Sequence, residues 1–105
     1  MAETLNTLAS IIKERRTADP ALSYVAKLFQ QGREKIAQKV GEEATEAVIA
    51  AVCGDPAKLT SEAADLLFHL LIMLEDGGVS IKDVLAELDA REGLSGLTEK
   101  ASRPK

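Results

Sequence analysis

Glu42, Glu43 and Glu46 form one acidic cluster, and Glu62 and Asp65 form a second. They read as EExxE over 42–46 and ExxD over 62–65, separated by residues 47–61. Residues three or four apart are neighbours on one helix face, so each cluster can aim two carboxylates at one point. Two such helices side by side offer Glu43, Glu46, Glu62 and Asp65 to a single site. Hard oxygen donors in that number suit Mg²⁺ or Mn²⁺, which keep water positions open to substrate phosphates. Four anions packed without a cation repel one another, so a metal-free site is expected to be loose or partly protonated. The first cluster alone also fits an ordinary solvated face, because surface helices are rich in Glu. The second carries more weight. It leads into Leu66-Leu67-Phe68-His69-Leu70-Leu71-Ile72-Met73-Leu74, where a carboxylate is costly to bury unless something positive compensates it.

Other side chains near these clusters have two readings each. Lys35 and Lys39 project to the same side as the glutamates; Lys39 either pairs with Glu43 at i,i+4 or meets a substrate phosphate. His69 lies one turn after Asp65. It is expected to bond a neighbouring carboxylate, with a general-base role as the lesser alternative. Tyr24 and Phe29 read as core, with Tyr24 also placed to reach a pocket rim. Met73 reads as core. Cys53, the single cysteine, cannot form an internal disulfide and is expected to be a buried, inert thiol among small apolar neighbours.

The elements that must position these groups are helices. The chain has 105 residues, enough for a single domain with one core. Hydrophobic residues make up 46% and aromatics 3%, with no Trp. That composition favours a globular helical fold over a β-sandwich or a base-stacking surface. The net charge of −4 argues against nonspecific nucleic-acid binding. The longest apolar run is too short for a membrane span, and the first residues lack a signal pattern. The expected location is cytoplasmic.

Periodicity and breakers predict an all-α bundle of about five helices. The first spans about Thr4 to Arg16. A second starts at Asp19-Pro20, carries Tyr24, Val25, Leu28 and Phe29, and stops at Gly32. The third runs from about Arg33 to Cys53 with Ile36, Ala37, Val40, Ala44, Ala47, Val48 and Ala51 as its apolar stripe. The fourth starts at Asp55-Pro56 and ends near Asp76. The fifth follows Ser80, with Asp83 completing a weak capping box, and ends near Arg91. A tail from about Glu92 to Lys105 has no clear period. Helix four is apolar nearly all round apart from a strip of Glu62, Asp65, His69 and Asp76. Such a helix needs cover on every side, and a second copy of the chain is the expected cover.

The acidic pattern resembles the all-α nucleotide pyrophosphohydrolases of the MazG-like superfamily. The flanks are more specific. Ser23-Tyr24-Val25-Ala26-Lys27-Leu28-Phe29, Gly32, Lys35-Ile36-Ala37-Gln38-Lys39-Val40-Gly41-Glu42-Glu43 and Glu62-Ala63-Ala64-Asp65-Leu66 resemble the phosphoribosyl-ATP pyrophosphohydrolase family, as do Arg91-Glu92-Gly93-Leu94-Ser95-Gly96-Leu97 and Glu99-Lys100-Ala101-Ser102-Arg103. Val25, where many relatives have Thr, is a minor departure. The resemblance implies hydrolysis of phosphoribosyl-ATP to phosphoribosyl-AMP and pyrophosphate, the second step of histidine biosynthesis, in a stand-alone enzyme with no fused cyclohydrolase. It implies Glu43, Glu46, Glu62 and Asp65 as metal ligands. Glu42 would steady a ligand or orient water, and Lys39, Arg91, Lys100 and Arg103 would contact phosphate. Two rivals stand beside it. One is a MazG-like house-cleaning enzyme for noncanonical nucleoside triphosphates. The other is a non-catalytic helical adaptor that binds a protein through helix four.

Overall fold

The computed structural model describes residues 2–92, which form five helices and no strand. They are α1 (Ala2–Arg15), α2 (Tyr24–Gln31), α3 (Arg33–Val52), α4 (Pro56–Asp76) and α5 (Ile81–Ala90). None is long and apolar enough to cross a membrane.

The two longest helices make a hairpin that organises the rest. Only Cys53, Gly54 and Asp55 separate α3 from α4, so the two run antiparallel. Gly54 turns the chain at φ +71°, and the Asp55 N–H returns to the Ala50 carbonyl at 3.2 Å. The Asp55 side chain then accepts from the Lys58 N–H at 3.0 Å, with Pro56 in the first turn. This is the expected cap-and-proline start. Cys53 sits at this outer turn and is exposed, correcting the expectation of a buried thiol.

Burial along α3 follows the expected stripe at Ile36, Val40, Ala44 and Ala47 and departs from it elsewhere. Ala37, Val48 and Ala51 are exposed, while Ile36, Glu43 and Ala50 are buried. The buried residues recur every seven positions. A long antiparallel partner selects such a narrow seam, because only one line of side chains stays against it over many turns. Glu43 therefore lies on the seam itself, between Ile36 and Ala50. On α4, Glu62, Asp65, His69 and Ile72 follow the matching three-four-three spacing.

The core gathers at one end of the hairpin. Ile12 from α1, Val25 and Leu28 from α2, Ile36 from α3, and Leu71 and Ile72 from α4 form it. Leu5, Leu8, Phe29, Phe68, Met73, Leu74 and Ile81 pack around them. Two arginines secure the C-terminal end of α4. Arg16 reaches the Glu75 carboxylate at 3.0 Å and its carbonyl at 3.2 Å, while lying 4.8 Å from the Phe29 ring centre. Arg33 reaches the Asp76 carboxylate at 2.7 Å and its carbonyl at 3.1 Å. Cations there also suit the negative end of the helix dipole.

α2 begins later than expected. Asp19 and Pro20 belong to a turn in which the Asp19 carboxylate accepts from the Ala21 N–H at 2.9 Å. The Asp19 carbonyl accepts from the N–H groups of Leu22 and Ser23. Ser23 is the cap, its hydroxyl accepting from the Ala26 N–H at 3.1 Å. Asp binds its own backbone two residues on and so makes a turn as readily as a cap. Ser80 caps α5 through the Lys82 N–H at 3.1 Å.

Candidate metal centre

The seam brings carboxylates from α3 and α4 together. Glu43, Glu62 and Asp65 each place an oxygen within 4.8 Å of the others. Glu43 is 92% buried by its 8% exposure, Glu62 is half-buried, and Asp65 is exposed. Glu46 is exposed on the next turn of α3, and its carboxyl meets that of Glu62 in a bond the two can make only while one of them holds a proton. That shared bond is the first reason the Glu62 carboxyl is held above the ordinary carboxylate range. Burial is the second, and the negative charges of Glu46, Glu43 and Asp65 add to it.

Two oxygens in this cluster are buried without a hydrogen-bond partner: Oε2 of Glu43 and Oε2 of Glu62. A buried carboxylate oxygen with no donor is costly. Both oxygens belong to residues that converge on one point, and all the donors are hard oxygens. The residues therefore fit an octahedral divalent cation such as Mg²⁺ that keeps part of its water shell.

The remaining candidates lie around this cluster. Glu42 is exposed and turns to Gln38 at 3.0 Å and to the Lys39 ammonium at 3.4 Å. The Gln38 bond, then Lys39, holds its carboxyl below the ordinary range. Lys39 also lies 3.7 Å from Glu43, the i,i+4 partner expected of it. Burial opposes the Lys39 charge, but the Glu42 bond and the charges of Glu42 and Glu43 outweigh it and raise its pKa. An open groove of about 760 Å³ runs past Gln38, Gly41, Glu42, Thr45 and Glu46. A separate cavity of about 540 Å³ between α1, α4 and α5 is lined by none of these glutamates. Arg91 ends α5 and pairs with Glu87 at 3.0 Å. Lys100 and Arg103 lie outside the described residues.

His69 corrects one expectation. It is buried, and its partners are not carboxylates. Its Nδ1 lies 2.7 Å from the Asp65 backbone carbonyl, and its Nε2 lies 2.8 Å from the Tyr24 hydroxyl. Tyr24 is half exposed rather than core, and it packs edge-on to the His69 ring at 5.7 Å. Burial raises the Tyr24 pKa; Lys39 opposes that rise, and Glu43, Asp65 and Glu42 add to it. The phenol thus feels the charges of the carboxylate cluster. In the sequence, the only hint of this link was the single-turn spacing from Asp65 to His69.

The profile of a protein family described as phosphoribosyl-ATP pyrophosphohydrolase matches residues 5–92. The chain belongs to this family. A phosphoribosyl-ATP pyrophosphatase of Rhizorhabdus wittichii is 63% identical over 105 residues, covering 100% of this chain and 99% of the relative. The protein of that name from Erythrobacter litoralis is 60% identical, covering 95% of this chain and 96% of its own length. The one from Zymomonas mobilis is 57% identical over 98% of this chain and 96% of its own. The match to the family spans α2, α3 and α4, which carry every residue of the carboxylate cluster.

Proposed function

We propose that this chain hydrolyses phosphoribosyl-ATP to phosphoribosyl-AMP and pyrophosphate, the second step of histidine biosynthesis, at the carboxylate cluster between α3 and α4. The observation that carries the reading is the meeting of Glu43, Glu62 and Asp65, with two buried carboxylate oxygens lacking partners, in a member of this family.

Glu43, Glu62 and Asp65 would hold Mg²⁺ or Mn²⁺, with Glu46 completing the set from the next turn of α3. When bound, the cation supplies charge neutralisation for the triphosphate and Lewis-acid polarisation at phosphorus. The protein's own part is positioning. Glu43 is fixed by the seam, and Glu62 and Asp65 are fixed by α4. Each is therefore held on a rigid helix rather than a loop, which favours pre-organised catalysis. Glu42 orients the attacking water, and its bonds to Gln38 and then Lys39 favour its ionised form for that task. Lys39 gives its remaining N–H to substrate phosphate, joined by Arg91, Lys100 and Arg103. Water attacks the α-phosphorus, its oxygen forms the new P–O bond, and the α–β anhydride bond breaks. Pyrophosphate leaves with the bonding electrons, and the water's proton passes to a carboxylate or to solvent.

A second copy of the chain covers the outer part of the hairpin in this reading. Val48, Ile49 and Val52 on α3 and Leu67 on α4 are large apolar side chains left exposed. The enzyme acts in the cytoplasm, where its phosphorylated substrate is retained.

The test is pyrophosphate release with Mg²⁺, comparing phosphoribosyl-ATP with ATP, dUTP and dCTP, and repeated with chelator. Turnover of phosphoribosyl-ATP that stops with chelator and in Glu62→Ala is the expected result. Preferential turnover of dUTP or dCTP would make the chain a house-cleaning enzyme. No turnover of any of them would leave the adaptor reading.

A further inference from the structure

The hydrogen bonds of His69 fix more than the imidazole. A backbone carbonyl can only accept, so the nitrogen facing the Asp65 carbonyl at 2.7 Å must carry hydrogen. A neutral imidazole has one N–H, so Nε2 is left as an acceptor. With His69 in this neutral form the Tyr24 hydroxyl, 2.8 Å from Nε2, donates its only proton there. The Tyr24 oxygen keeps its lone pairs and has no proton left for any other partner.

That oxygen is tied through His69 to the Asp65 turn of the carboxylate cluster. Tyr24 opens α2, and His69 is one turn after Asp65 on the same strip of α4 as Glu62. The phenol is within electrostatic range of Lys39, Glu43, Asp65 and Glu42. An oxygen that can only accept excludes ionised phosphate, which has no proton to give. It selects a donor. Lys39 faces Glu42 and Glu43, and its third N–H is the one given to substrate phosphate in the proposed reaction, which leaves water.

We propose that Tyr24 and His69 are a positioning pair for the metal centre: His69 locks the Tyr24 oxygen as an acceptor for a water held at the Glu43–Glu62–Asp65 cluster, and steadies the Asp65 turn of α4 through its carbonyl. This rests on the cluster being the metal site. It assigns a task to two residues outside the carboxylate set. Partners one bond beyond the ligands commonly change metal affinity or activity by about 10–100-fold when removed.

The test is Mn²⁺ binding without substrate, read by the electron paramagnetic resonance signal of free Mn²⁺, together with kcat and KM for phosphoribosyl-ATP. The variants are Tyr24→Phe, His69→Asn, the double variant, and Glu62→Ala as reference. Asparagine keeps an amide N–H near the Nδ1 position, but its side chain is too short to place an acceptor at the Nε2 position that meets the Tyr24 proton. The expected result is a roughly tenfold loss of Mn²⁺ affinity in Tyr24→Phe, a similar loss in His69→Asn, and no further loss in the double variant. kcat should fall with little change in KM. Mn²⁺ affinity within twofold of wild type in Tyr24→Phe, with unchanged kcat and only a lower melting temperature, would reduce the pair to a tie between α2 and α4. Losses that multiply in the double variant would also overturn it. His69 is buried, so if His69→Asn fails to fold, Tyr24→Phe alone decides. Wild-type Mn²⁺ binding that Glu62→Ala leaves intact would overturn the carboxylate assignment and the pair together. Intact Glu62-dependent binding with an unaffected Tyr24→Phe would overturn the pair alone.

Discussion

At the residue scale, the cluster is a place where folding and function pull in opposite directions. Glu62 has a raised pKa, first through its shared bond with Glu46, then through burial and its anionic neighbours. A carboxyl raised in the folded state favours the protonated form. Its contribution to stability is complete below the unfolded pKa and is lost as pH rises through the folded pKa. At neutral pH without metal, Glu62 therefore works against the fold. Glu62→Gln should raise the melting temperature of the metal-free protein at pH 7. That gain should shrink as pH falls through the folded pKa of Glu62. Thermal melts in chelator across pH 4–8 check this; a Glu62→Gln protein that melts lower than wild type at pH 7 would count against the account. With saturating Mg²⁺ the order should reverse, because the wild type alone gains the linkage stabilisation of a bound cation.

At the same scale, the types and spacing of the acidic residues were legible in the sequence, and their burial was not. EExxE and ExxD announce two helix faces, but helical spacing leaves open which face turns inward. Of the apolar stripe read along α3, Ile36 is buried and Val40, Ala44 and Ala47 are half-buried, but Ala37, Val48 and Ala51 proved exposed. The true seam, Ile36–Glu43–Ala50, includes an acid. Hydrophobic periodicity passes over such a line because its middle member is charged. His69 was read as a carboxylate partner for a related reason. Its real partners are a main-chain carbonyl and a phenol from another helix, and sequence spacing does not reveal contacts between helices.

At the element scale, the join between α2 and α3 carries a specific backbone demand. Gly32 adopts φ +97° and ψ 174°, a region essentially restricted to glycine. Its N–H closes α2 on the Leu28 carbonyl at 3.1 Å, and its carbonyl accepts the Ile36 N–H of α3 at 3.1 Å. A Cβ there would meet nothing within 4 Å, so substitution is opposed by backbone strain rather than by crowding. Gly32→Ala should destabilise by about 1–3 kcal/mol. Urea unfolding followed by circular dichroism should show a lower midpoint at unchanged slope. A midpoint equal to wild type would mean that the join relaxes to an ordinary conformation. Glycine as a stop was plain in the sequence. So was Asp55-Pro56, because a capping acid followed by proline has one good use at a helix start. Asp19-Pro20 looks the same and forms a turn, since the better cap, Ser23, lies four residues on.

At the scale of the whole molecule, the hairpin is longer than the cover the chain provides. α1, α2 and α5 gather around the end that holds Ile36, Leu71 and Ile72, and the other end carries Val48, Ile49 and Val52 in the open. These three fall at i, i+1 and i+4 of α3, one face of one helix. The all-apolar character of α4 pointed to a missing neighbour, and the exposed face lies largely on α3 instead. The second copy proposed as cover is tested where exposure is greatest. Val52 is 82% exposed, so Val52→Asp should cost the isolated chain little. In a two-fold dimer the same change buries an unpaired carboxylate on both sides. Leaving a charge uncompensated in an interface costs about 3–5 kcal/mol, enough to move a micromolar sample to monomer. Sedimentation equilibrium of wild type and Val52→Asp should then give dimer and monomer masses, with helical content unchanged. A monomeric wild type would remove the second copy. A Val52→Asp variant that stays dimeric would place the contact elsewhere on the hairpin. The carboxylate cluster lies on the same hairpin, so the monomeric variant also asks whether the site needs its neighbour. Equal Mn²⁺ affinity in both states would place the whole site within one chain, and a loss in the monomer would make the dimer part of it.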